Sequence, residues 1–113
     1  MREATVYVKG KAAARLWEQR SAGGVVFHLQ YLPEYLRLED AGSISLTLPR
    51  RAEEYQSEHL FPYFESILPE GDFARRVCRE RHLDTADRFG MLLALAHTDV
   101  LGDVTVVEGR NEP

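Results

Sequence analysis

The chain is short of cysteine, of lysine and of long apolar runs, and each shortage excludes something. Its one cysteine, Cys78, permits no internal disulfide, which rules out a secreted disulfide scaffold. No apolar run approaches the roughly 20 residues that cross a bilayer as a helix. The opening Met1-Arg2-Glu3-Ala4-Thr5-Val6 lacks the apolar core of a signal peptide, so the expected address is the cytoplasm, with no membrane partner. The glycines form no phosphate cradle: Gly23-Gly24 lacks the spacing of G-x-x-x-x-G-K-[ST], and Gly71, Gly90 and Gly102 are dispersed. A kinase catalytic loop, a nucleophile elbow and H-E-x-x-H are equally missing. His28, His59, His82 and His97 show no ligand spacing, so neither a metal nor a cofactor is expected.

What is present fits one globular domain over 1–113. The 113 residues are 44% hydrophobic and 28% charged, enough for one modest core. Fourteen Lys and Arg stand against 18 Asp and Glu, a net charge of −4, which disfavours direct nucleic-acid binding unless the positive charge is gathered on one face. Twelve of the 14 are Arg, and six of these cluster, at Arg50-Arg51 and at Arg75, Arg76, Arg79 and Arg81, with Glu53, Glu54, Asp72, Glu80 and Asp84 among and around them. Such a pattern reads as solvated faces with local ion pairs, or as a basic patch for an acidic partner.

The first half has strand character. Thr5–Val8 is β-branched and aromatic, Lys9-Gly10-Lys11 is a turn, and Ala12–Trp17 returns with Ala12, Ala14 and Leu16 on one face. Val25–Tyr31 alternates, with Val25, Phe27, Leu29 and Tyr31 pointing one way. Pro33–Leu36 reads as a helical turn. Ser43–Leu48 alternates hydroxyl and aliphatic residues and reads as a strand ended by Pro49. Arg50–His59 is a polar surface loop.

The second half turns helical. Leu60, Phe64, Ile67 and Leu68 have helical spacing, and Pro69-Glu70-Gly71 stops that helix. Asp72 is placed to cap a helix with a buried stripe of Phe73, Val77 and Cys78 and Ala74 beside it, and Asp84 to cap another that runs to about His97. Val104–Val107 reads as a last strand, and 108–113 as a polar tail. The fold class expected is α+β: a small, largely antiparallel twisted sheet of about five strands packed against two or three helices.

Two pairs test for chemistry. Cys78 and His82, four apart on a helix, are spaced as a nucleophile and base, but Cys78 falls in the apolar stripe and no orienting third group is evident. Glu65 and Glu70 flank the Leu-Pro motif as a possible carboxylate pair, which a helix-face charge and a turn residue explain equally well. The chain is therefore expected not to be an enzyme; a small enzyme built on Cys78 and His82 is the remote alternative.

An ordered set of motifs carries a resemblance. It runs Phe27-His28-Leu29-Gln30-Tyr31 with Pro33-Glu34-Tyr35-Leu36, then Ser43–Pro49, then Leu60–Gly71, then Asp87-Arg88-Phe89-Gly90-Met91-Leu92-Leu93, and closes on Gly102-Asp103-Val104. This resembles the N-terminal subdomain of HipA-type serine/threonine kinases, the toxins of HipA–HipB toxin–antitoxin systems, over about Val6 to Val107. The motif residues are Leu68, Pro69, Glu70, Gly71, Asp99 and Gly102; near Asp99 the family's leading Gly, its Arg and its final Ala are replaced.

A chain of this extent resembles the stand-alone small subunit, HipS, that accompanies a kinase, HipT, and a DNA-binding HipB. The resemblance implies a non-catalytic subunit that binds a HipA- or HipT-like kinase lacking this subdomain and acts as its antitoxin. A HipB-like protein would be met through the complex. The alternative is the N-terminal half of a split kinase, needed for activity or assembly. Tyr and Arg anchor interfaces, so the docking residues expected are Arg50, Arg51, Tyr55, Phe61 and Tyr63.

Overall fold

The computed structural model describes residues 2–95 and 104–109. Five strands, β1 (Glu3–Val8), β2 (Lys11–Ser21), β3 (Gly24–Tyr31), β4 (Tyr55–Ser57) and β5 (Val104–Glu108), form one sheet in the order β4-β3-β2-β1-β5. Every neighbouring pair is antiparallel. Four helices, α1 (Pro33–Leu36), α2 (Pro62–Ser66), α3 (Gly71–Arg81) and α4 (Arg88–Leu95), complete the α+β domain expected from the sequence.

The β1–β2 hairpin turns on Lys9 and Gly10, both with positive φ, as the twist of a two-residue hairpin requires. The register slips once: Val6 pairs with Ala14 but Tyr7 pairs with Ala12, leaving Ala13 as a bulge. Ala12 therefore leaves the face of Ala14 and Leu16 that the alternation assigned to it. The small side chains of this strand let α1 lie against it, with the Leu32 N–H donating to the Ala13 carbonyl at 2.8 Å.

One sheet face carries Ala4, Val6, Leu16, Leu29, Tyr31 and Val106, and the core closes over it with Phe64, Phe89, Met91 and Leu92 from α2 and α4. The other face carries a ladder of polar and aromatic groups. Trp17 stacks on His28 at 4.9 Å, Arg15 covers Trp17 and pairs with Glu3, and His28 Nδ1 meets Glu54 at 2.6 Å. Burial opposes ionisation of Glu54, but hydrogen bonds from His28 and Gln56 outweigh it and hold the carboxyl below its usual range.

Two expectations about the strands are corrected. Ser43–Leu48 is a turn: only Ser45 and Leu48 form a bridge, and Leu46-Thr47 sit at the tip. The Ser45 hydroxyl takes the Thr47 N–H and meets the Thr47 hydroxyl at 2.9 Å, a local bonding pattern that competes with a ladder. The edge of β3 goes instead to β4, inside the segment expected to be loop.

The helix starts also shift. Gly71 adopts a left-handed φ of 63° and opens α3, with Glu70 at the N-cap and Asp72 already inside. From that start Ala74, Val77 and Cys78 face inward, while Phe73 lies outside the stripe at 54% exposure. Asp87, not Asp84, caps α4, accepting the Gly90 N–H at 3.0 Å. The expected continuation to His97, the turn after it and residues 110–113 lie outside the described residues.

Candidate interaction surface

Between α1 and β4 the chain runs from Arg37 to Glu54 with one isolated bridge as its only sheet pairing. Backbone polar groups in such a segment need partners from side chains or water, and buried aromatic hydroxyls supply several. Tyr31, 2% exposed, donates its hydroxyl to the Leu48 carbonyl and accepts the Ile44 N–H at 2.9 Å. Tyr35 donates to the Gly42 carbonyl at 2.5 Å. Burial raises both phenol pKa values above the ordinary one, keeping the hydroxyls protonated as donors.

Arg50 completes the frame. Its guanidinium donates to the carbonyls of Tyr35, Leu36, Leu38 and Ala41, and the Arg50 backbone N–H donates to Ser43 Oγ. Ile44 and Leu48 bury beneath the turn, and Leu46 between them is 100% exposed. A rigidly held turn thus presents one bare aliphatic side chain to water.

The residues expected to dock separate into two groups. Arg51 and Tyr55 stay together on the surface: the guanidinium lies 3.6 Å from the ring centroid, and the Tyr55 hydroxyl donates to the Pro49 carbonyl at 2.6 Å. Tyr63 is half-buried on α2, edge-on to Phe64. Arg50 is occupied by the loop it holds, and Phe61 is 5% exposed as the residue preceding Pro62. Phe61 therefore belongs to the core, because Leu60, Phe61 and Phe64 all turn inward around a helix of five residues. Leu46 and Phe73 are exposed apolar residues that the sequence reading placed inside; the Ser-Leu-Thr-Leu-Pro run at Leu46 contained the turn-forming hydroxyls that signal otherwise.

The pairs considered for chemistry have structural duties. Cys78 is buried, with its thiol toward the Asp84 carbonyl, and His82 ends α3 in a left-handed conformation. Glu65 bonds Arg88 at 2.5 Å, and Arg88 also reaches the Pro69 carbonyl, tying the Leu68-Pro69-Glu70-Gly71 turn to the start of α4. A groove of about 510 Å³ is lined in part by Glu18, Phe27, Glu58, Asp84 and Asp87. Arg2 neutralises two of these acids, bonding Glu18 at 2.6 Å and Asp87 at 2.7 Å. Among the described residues no three of His, Cys, Asp and Glu gather as a metal site.

The same frame explains the motif glycines. Gly71 holds a positive φ that side chains resist, and a Cβ on Gly90 would collide with the Asp87 carboxylate and stand 2.8 Å from Arg2. The family model of the HipA N-terminal domain matches residues 4–107.

The chain belongs to the HipA N-terminal domain family.

That membership ties the chain to toxin–antitoxin systems, and the match is to the N-terminal domain alone. A solved structure, "N-terminal domain of HipA toxin", shares the fold at a TM-score of 0.69 with 25% identity, over 99% of this chain and 96% of the other. An uncharacterized protein of Haemophilus influenzae is 30% identical over 110 residues, spanning 97% of this chain and 95% of the relative. In this HipA N-terminal domain, Leu68 is buried, Pro69 offers its carbonyl to Arg88, Glu70 is the α3 N-cap and Gly71 makes the turn. The motif residues Asp99 and Gly102 lie outside the described residues. No described helix is long and apolar enough to cross a membrane.

Proposed function

We propose that this chain is a non-catalytic subunit of a HipA/HipT-type toxin–antitoxin kinase system, which binds the separately encoded kinase and neutralises it. The observation that carries the reading is Leu46, wholly exposed at the tip of a loop that Tyr31, Tyr35 and Arg50 hold in one shape. A bare aliphatic side chain on a fixed turn loses little conformational entropy on docking, which favours a tight contact. Arg51 stacked on Tyr55, with Tyr63, supplies the Arg and Tyr that interface centres favour.

In this reading the complex is cytoplasmic, and a HipB-like DNA-binding protein joins it through the kinase. The acidic balance of −4 supports contact with protein rather than with DNA directly. A phosphorylation assay of the kinase, titrated with this chain, tests the sign of the effect. Activity that falls to a stoichiometric plateau supports neutralisation. Activity that appears only when the chain is added would make it the supporting half of a split kinase instead.

A further inference from the structure

Helix α3 turns Ala74, Val77 and Cys78 inward, so the row Phe73, Arg76 and Arg79, three residues apart along the helix, faces water. Phe73 is 54% exposed at the first turn. Arg75 is occupied by Asp72, whereas Arg76 and Arg79 have no hydrogen bond or ion pair among the described residues. The helix holds four arginines against two acids, a local charge of +2 on a chain of −4.

Arg and aromatic residues together are what interface centres are enriched in, and an exposed ring gains only when a partner takes it out of water. We propose that the row Phe73–Arg76–Arg79 docks on an acidic surface of the partner kinase that contains an apolar pocket for the Phe73 ring. The inference rests on the kinase-binding reading above and adds to it a second contact of opposite chemistry to the Leu46 turn. Charge complementarity selects the occupant: the row is cationic, so carboxylates on a protein surface attract it and basic surfaces are refused. A phosphate backbone fits less well, since the chain as a whole carries −4 and repels it outside this row.

The test is calorimetric titration of the whole kinase with the whole chain at about 50 and about 300 mM salt. The variants are Phe73→Ala and the double charge reversal Arg76→Glu with Arg79→Glu. All three positions are exposed, and unchanged circular dichroism verifies the fold. The expected result is at least about tenfold weaker binding for Phe73→Ala at both salt concentrations. The charge reversal weakens binding strongly at low salt and less at high salt, and it flattens the salt dependence seen with the wild type. Wild-type affinity in both variants overturns this inference and leaves the kinase-binding reading standing. Failure of the wild type to bind the kinase overturns both. Binding of a duplex DNA probe that the charge reversal abolishes overturns the acidic protein surface in favour of nucleic acid.

Discussion

Tyr31 donates its hydroxyl to the carbonyl of Leu48, seventeen residues later, and so joins the end of β3 to the far arm of the exposed turn. The same oxygen accepts the Ile44 N–H from the near arm. One buried atom thereby fixes both sides of the segment that displays Leu46. Tyr31→Phe strips two buried backbone groups of their partner, and the expected loss is about 1–3 kcal/mol of stability. Denaturant unfolding measures it, and faster hydrogen exchange at the Ile44 amide locates it in the turn.

The contact between Arg2 and Asp87 links the N-terminus to the cap of α4. Asp87→Ala removes both the cap on the Gly90 N–H and one of the two carboxylate partners of Arg2, and the expected cost is about 1–3 kcal/mol by thermal or chemical unfolding. Gly90→Ala is expected to destabilise as well, because the added methyl pushes the Asp87 carboxylate and Arg2 apart. Loss of stability in Gly90→Ala should shrink when combined with Asp87→Ala, since the two share one cause.

The pH dependence has a definite sign. The Arg2 guanidinium, bonded to Asp87, holds its carboxyl below the ordinary value, so the folded state binds the carboxylate form more strongly than the unfolded chain does. This stability is complete above the unfolded aspartate pKa of about 3.9 and is lost as pH falls through the lower folded value. Glu54, also depressed, acts in the same direction. Asp87→Asn should be less stable at neutral pH and show a shallower acid decline than wild type. An unchanged acid limb would contradict the assignment to Asp87.

His82 ends α3 with φ of 57°, a conformation that costs a side-chain-bearing residue and suits glycine. The ring is exposed, so His82→Gly is expected to raise stability by about 0.5–1 kcal/mol, read as a higher melting temperature. The same variant leaves kinase binding unchanged if His82 serves only to end the helix.

The sequence showed β1, β3, α1 and β5 through alternation and proline placement, and the family resemblance ran through motifs whose roles are now physical. Gly71 serves a left-handed turn, and Gly90 leaves room beside Asp87. Leu46 was misread because Ser, Ile, Ser, Leu, Thr and Leu alternate as a strand would. The hydroxyls that create the alternation are the ones that close the turn. Phe73 was misread because it stands about 140° around the helix from Cys78, so the buried face takes Ala74, Val77 and Cys78, at i, i+3 and i+4, and leaves Phe73 outside. Sequence does not distinguish an arginine that faces a partner from one that, like Arg50, bonds four local carbonyls.

The most direct test of the account is the affinity of the separately encoded kinase for this chain and for Leu46→Asp, measured by calorimetry. Leu46 is fully exposed, so the variant should keep the wild-type melting temperature. The prediction is stoichiometric binding by the wild type and at least about tenfold weaker binding by Leu46→Asp. Equal affinity of the two chains would remove the turn from the interface, and no binding by either would contradict the role as a kinase-binding subunit.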